Sequence, residues 1–300
     1  MFMKIVKIKV QKKFLDSIFI CVMLAIPVMH WLIFWFGVNF NSLLMAFQLP
    51  TGGWSLLNFQ DIFRELVTPD STVLIAIKNT FIYFAKDLLM LPFHYLIAYF
   101  LYKQIKGYRF FQIAFYLPVI LSGVAISTMF SNFIAPTGPI GIILKNIGVD
   151  FVPDFLNNSD YATGTILFYT IWMGWGGHML LFGGALARVP VDVLEAAKLD
   201  GVNVFQEIFI IVLPLVWSTM STLLILIMTS VFAASGPILL FTKGEYETTT
   251  ISYWIFDKVA YQGASAYNQV AAFGIMLTVI GVPVILFFKW LIEKIPTVEY

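Results

Sequence analysis

Lys86, Asp87 and His94 stand inside an apolar run, where an ionisable side chain is costly and marks a functional position by default. Asp87 and His94 are seven residues apart, two helical turns, and share a helix face. Lys86 and Asp87 are adjacent, about 100° apart, and do not face each other directly. The three could line a polar cavity or pair with a neighbouring subunit; a structural ion pair or a snorkelling lysine is the plainer account. A second group, Trp172, Trp175 and His178, lies among Gly174, Gly176 and Gly177. Aromatic rings cover the C–H faces of sugars while polar groups meet their hydroxyls, so this set suits a polar solute. Glycine-mediated helix packing explains the same residues more simply. Thr219, Ser221, Thr222, Thr229 and Ser230 could line a passage or bond their own helix carbonyls. His30 reads as a packed or interfacial histidine. With three dispersed histidines and Cys21 as the one cysteine, no metal site and no disulfide framework are expected. The GxxxxGK[ST], HExxH and GxSxG patterns are absent, so no catalytic residue is assigned and any ATP must be hydrolysed elsewhere.

The elements that must position these residues are membrane spans. Sixty per cent hydrophobic residues, 12% charged residues and a mean hydropathy of +0.87 exclude a soluble globular domain. A net charge of +1 supplies no basic field for nucleic acid. Six spans are expected, at residues 17–38, 73–101, 110–133, 164–186, 209–235 and 270–292, each long enough to cross a bilayer. The first exceeds a signal-peptide core and no small-x-small cleavage site follows, so it is read as retained. Lysine and arginine concentrate before span one, after span two (Lys103, Lys106, Arg109), between spans four and five (Arg188, Lys198) and after span six, which predicts that both termini are cytoplasmic. The opposite loops carry Asp61, Glu65, Asp70, Asp150, Asp154, Asp160, Glu245, Glu247 and Asp257, an acidic outer face that a partner could use. Turn residues punctuate them at Thr51–Trp54, Ala135–Gly141, Val152–Asp160 and Ser235–Thr250. One all-α domain, residues 1–300, is expected.

The connection at residues 188–214 is built for docking rather than for lipid. Pro190 suits a helix start, and Asp192 and Glu195 place negative charge toward the positive end of the helix dipole. Ala196 and Ala197 favour helix, and Gly201 can take the left-handed conformation that ends one. Asn203 with Gln206 forms a capping-box pattern that restarts a second helix, leading through Phe205 and Phe209 to Pro214. Helix, turn, helix is the expected form.

The stretch EAAKLDGVNVFQEIFIIVLP, Glu195 to Pro214, resembles the EAA motif of binding-protein-dependent ABC importer permeases. Val202 departs from it, since that family usually carries alanine there. Further segments, at Lys78–Phe84, Lys106–Gly123, Ile171–Gly177 and the GPILLFTKGEYETTT stretch, resemble carbohydrate-type permeases of the maltose and glycerol-phosphate branch. The resemblance implies a type I importer permease fold in a prokaryotic plasma membrane. It implies a second, related permease, two cytoplasmic ATPase subunits that use ATP and Mg, and an extracellular solute-binding protein that delivers a mono- or oligosaccharide. It also implies that Glu195, Ala196, Ala197, Asp200 and Gly201 transmit the ATPases' closing motion. Asp87, His94, Trp172, Trp175, His178, Thr229 and Ser230 are the candidates for the substrate path. The alternatives are an ABC permease for a non-sugar solute, and a motor-independent channel or intramembrane enzyme.

Overall fold

The computed structural model describes residues 2–49, 52–233 and 236–296, with side chains from Asp16 onward. Thr51 and Ser235 of the turn segments, and the side chains of the N-terminal lysines, lie outside the described residues. Among the described residues the chain is helical, with one isolated bridge between Gln48 and Trp54. Helix α1 (Phe2–His30) runs through a π-helical stretch (Trp31–Gly37) into α2 (Val38–Ala46). Next come α3 (Leu57–Val67), α4 (Thr72–Tyr102), α5 (Tyr108–Ile120), α6 (Gly123–Ile134), α7 (Pro139–Asn146) and α8 (Ala162–Leu186). Then follow α9 (Val191–Leu199), α10 (Val204–Gln206), a π-helical turn (Glu207–Val212), α11 (Leu213–Leu215) and α12 (Trp217–Thr229). The last helices are α13 (Ile238–Phe241), α14 (Ile251–Asp257) and α15 (Ala264–Glu293).

By length and composition, two helices among the described residues can each cross a bilayer, Asp16–Ala46 and Ala264–Glu293. Two bent pairs could add one span each. The bends fall inside expected spans three and five. Residues 108–120 and 123–146 meet at 107° across Leu121, whose backbone is extended, with Pro118 before it and Gly123 after. Pro118 withholds one backbone donor and its ring crowds the carbonyl four residues back, which weakens the ladder where the chain turns. Residues 204–215 and 217–229 meet at 75° just after Pro214. Expected spans two and four each form one helix, α4 and α8, while the first and last expected spans lie within longer helices. Ser71 starts α4 by accepting a bond from the Leu74 N–H at 3.2 Å.

The chain divides into two compact units, one up to Phe63 with Gln262–Leu277, the other Arg64–Tyr261 with the residues from Thr278 on. In the first, the Asn58 amide donates to the carbonyls of Ala46 (2.9 Å) and Gln48 (2.8 Å), and Asn268 donates to Gln48 (2.7 Å). These bonds hold the turn that follows α2. From Asp16 to Leu43 every residue is exposed, as suits a surface that lipid or another subunit covers, and burial begins only at the end of α2 with Ala46.

In the second unit α4 packs along α8, and α5 lies against α8. The core joins Leu91, Tyr95 and Tyr99 of α4 to Met179, Phe182 and Leu186 of α8, and to Ile208, Val212 and Val216. Gly176 is the close-approach point: a Cβ there would lie 2.8 Å from the Phe115 carbonyl oxygen and 2.8 Å from Val119 Cγ2. A smaller cluster sets Phe130 and Ile126 against Tyr169, whose hydroxyl bonds Ser127 Oγ at 2.8 Å.

Candidate functional site

The segment between α8 and α12 contains a helix–turn–helix with an exposed tip. Pro190 precedes α9 in extended conformation, Asp192 lies in its first turn and Lys198 in its last, both favourable to the helix dipole. The helix ends in a Schellman arrangement: Val202 N–H bonds the Ala197 carbonyl at 3.1 Å, Gly201 N–H bonds that of Lys198 at 3.2 Å, and Gly201 has φ +73°. The capping box then forms, with Gln206 N–H on Asn203 Oδ1 at 2.9 Å and Asn203 N–H on Gln206 Oε1 at 3.0 Å. Leu194 and Ala197 point inward, while Glu195, Ala196, Asp200 and Gly201 are exposed. The tip is also apolar, Leu199 being 90% and Phe205 75% exposed. Carboxylates around bare apolar side chains suit a protein surface rather than water. Gly201→Val is expected to cost about 1–2 kcal/mol, because a β-branched residue resists the left-handed region, whereas Gly201→Asn should cost less. Thermal midpoints of the purified variants check this; equal midpoints would refute it.

Of the path candidates, the structure brings three together. His94, 4% exposed, stacks on His178 with ring centroids 4.9 Å apart and meets the edge of Trp175 at 5.1 Å; Trp175 in turn lies 5.6 Å from Phe115. Trp172 belongs to a separate cluster with Tyr169 (6.0 Å) and Phe130 (6.3 Å). Asp87 forms an ion pair with Lys86. The expectation that these neighbours do not face each other is corrected, because the lysine stem is long enough to curl back to the adjacent carboxylate. Thr229 and Ser230 donate to the carbonyls of Leu226 (3.0 Å) and Ile227 (3.1 Å), and Ser221 and Thr222 both donate to Ser218. In this conformation those hydroxyls bond their own helix. Among the described residues no group of three or more His, Cys, Asp or Glu side chains could hold a metal ion.

Two polar ties escaped the sequence reading. Asn79 of α4 bonds the segment that precedes α14 and Thr80 bonds the first residue of α14, and Lys103 with Tyr95 holds the π-helical turn. The sequence marks Lys103 only as an orientation signal, because the pairing of residues so far apart in sequence leaves no periodic signal. Outside the expected spans, burial pushes the Tyr253 phenol above its ordinary range, Asp257 adding to the effect, so it stays neutral where it packs beside Gly244. A cleft of about 820 Å³ opens between the ends of α4, α5 and α8, lined by Tyr102, Gln104, Arg109, Gln112, Tyr116 and neighbouring apolar residues. It does not reach His94, Trp175 or His178.

Long apolar helices interrupted by a helix–turn–helix with an exposed, partly apolar tip make a membrane-protein architecture. The chain belongs to the family of binding-protein-dependent transport system inner membrane components, whose model matches residues 98–296. It is therefore a permease subunit of an ABC importer, a transport component and not an enzyme. It is 30% identical over 235 residues to the probable ABC transporter permease protein YesP of Bacillus subtilis, covering 76% of this chain and 75% of that one. It is 25% identical over 197 residues to the multiple sugar-binding transport system permease protein MsmF of Streptococcus mutans, covering 65% and 67%. A chain of a bacterial ABC transporter involved in the import of the acidic polysaccharide alginate superposes with a TM-score of 0.82 at 25% identity, over 96% of this chain and 99% of that one.

Proposed function

We propose that the permease imports a carbohydrate, as one of two related membrane subunits that enclose the path. The observation that carries this reading is the likeness over nearly the whole chain to an alginate importer subunit, joined by the relative named for multiple sugar-binding transport. The subunit crosses a prokaryotic plasma membrane six times with both termini cytoplasmic; α5–α6 and the 204–229 pair each count as one bent span, and α4 and α8 supply two more. Two ATPases, binding ATP and Mg, dock on the exposed face of Glu195, Ala196, Asp200 and Gly201, with Ala197 packing the motif onto the permease. A solute-binding protein delivers the sugar to the acidic outer loops. Thr229 and Ser230 are exposed and Asp87 has a side chain 38% exposed, so these are the open members of the path candidates, while His94 and His178 pack α4 on α8 in this conformation.

The test is purification of the tagged chain from its native membrane in mild detergent, identification of the subunits that accompany it, and stimulation of their ATPase activity by sugars plus the binding protein. A second permease, an ATPase and a response to one sugar class are expected. A response to amino acids or oxyanions alone would replace the sugar assignment. A lone chain, where a control ABC complex survives, would overturn the assembly.

A further inference from the structure

Helix α4 is tied by buried polar bonds at both ends, to the π-helical turn Glu207–Val212 and to the segment that leads into α14. Near its last turns the Tyr95 hydroxyl, in a side chain 1% exposed, donates to the Ile208 carbonyl at 2.7 Å. One residue away the Glu207 carboxylate, in a residue only 7% exposed, pairs with Lys103, whose ammonium also lies 5.5 Å above the Tyr99 ring. Breaking such a pair from one side leaves a buried charge without a partner, so it fixes the spacing between α4 and the chain at Glu207. Both contacts land on the π-helical turn Glu207–Val212, which ends two residues before Pro214, where the ordinary ladder cannot continue because proline has no N–H to give. Ile208 and Val212 also share a core with Tyr95 and Tyr99.

At the other end, the Asn79 amide donates to the carbonyls of Glu247 (2.6 Å) and Thr249 (2.9 Å), and Thr80 Oγ1 accepts from the Ile251 N–H at 2.9 Å. Thr163 of α8 reaches the same Glu247 carbonyl at 3.4 Å. Asn79 and Thr80 are almost wholly buried. The segment they hold is strained: Lys243, Tyr246 and Glu247 have φ of 52°, 55° and 57°, left-handed values that side chains other than glycine resist. Such a backbone persists only where its surroundings impose it, and the bonds from α4 belong to that imposition, together with the Thr242–Thr248 hydroxyl pair at 2.6 Å. Its tip presents Lys243, Glu245 and Glu247 to solvent.

From this we infer that α4 is the strut that carries displacement of the ATPase-docking element to the outer loop Lys243–Thr250, with Tyr95 and Lys103 as positioning residues at the inner end and Asn79 and Thr80 at the outer end. The inference rests on the importer reading for its source of movement. A helix of 31 residues spans about 46 Å, enough to cross the bilayer, and its hydrogen-bonded backbone transmits an axial push without help from side chains along the way. Coupling between two distant sites needs an element that both sites hold. Among the described residues α4 meets that condition through buried bonds at both ends.

The experiment uses the whole complex in lipid nanodiscs, with Cys21→Ser and Lys243→Cys introduced so that labelling at position 243 reports the outer loop. Labelling is compared without nucleotide and after trapping with ATP and vanadate, alongside ATP hydrolysed per solute transported. The trapped state should change the labelling rate about fivefold in the parent complex, in the range ordinary for coupling between sites. Tyr95→Phe, which keeps the ring and removes the bond, and Lys103→Glu should each shrink that response and raise the ATP spent per solute. The swap Lys103→Glu with Glu207→Lys should restore most of both, a rescue that loss of packing alone would not give. Asn79→Ala should abolish the labelling response while the ATPase remains bound. A response that survives Tyr95→Phe and Asn79→Ala would overturn the strut, as would a parent complex that binds its ATPase yet shows no response. A parent chain that binds no ATPase would instead overturn the importer reading.

Discussion

Glu195→Lys is expected to lower ATP-driven uptake about a hundredfold while the protein still accumulates in the membrane at its normal level. The side chain of Glu195 is exposed on α9, with no ion pair or hydrogen bond among the described residues, so reversing its charge should change folding by no more than about 0.5 kcal/mol. The cost should fall on docking. Reversing a charge that faces a complementary partner typically costs about 2–5 kcal/mol, and about 3 kcal/mol corresponds to a hundredfold at 1.4 kcal/mol per decade. Glu195→Ala, which removes the charge without creating repulsion, should lose roughly tenfold or less. Uptake in membrane vesicles, normalised to the amount of permease, separates the outcomes. Unchanged uptake in the lysine variant would end the coupling role for this residue. A parallel loss of protein would show that Glu195 supports the fold instead.

The helix–turn–helix from α9 to α10 is legible in the sequence because each of its devices is local. Asn203 and Gln206 satisfy one another's backbone donors three residues apart, and Gly201 ends α9 with bonds reaching back only to Ala197 and Lys198. Hydropathy also located α4 and α8 to within about two residues at each end, since a long apolar run in lipid has few options besides helix. It missed the breaks at Leu121 and Val216. A hydrophobic run looks continuous whatever its direction, and only Pro118, Gly123 and Pro214 signalled a change of course. The stacked histidines were half legible. His94 and His178 each stand eight residues before the end of their helix, which places them at a matching level if α4 and α8 pack side by side, but nothing in the sequence states that they do. The ties from Asn79 to Glu247 and from Lys103 to Glu207 join residues more than a hundred positions apart, and single-sequence periodicity carries no information about such pairs.

The glycines of α8 show most sharply what packing adds to sequence. Gly174, Gly176 and Gly177 look equivalent as residues, and each costs a helix roughly 0.5–1 kcal/mol relative to alanine. Around Gly174 and Gly177 a Cβ would meet nothing within 4 Å. At Gly176 it would press on the Phe115 carbonyl oxygen, a backbone atom that cannot rotate away, and on Val119. Gly177→Ala should therefore leave the thermal midpoint of the purified complex unchanged or raise it slightly. Gly176→Ala should lower it despite alanine's better helix propensity, and Gly176→Val should cost about 3 kcal/mol by forcing α5 away from α8. That separation would also loosen Trp175 from Phe115 and hence its edge contact with His94, so quenching of tryptophan fluorescence by added acrylamide should increase in the valine variant alone. If Gly176→Ala proved as harmless as Gly177→Ala, the close approach of α5 to α8 would not exist in the membrane, and the paired histidines would have to be held by something other than that contact.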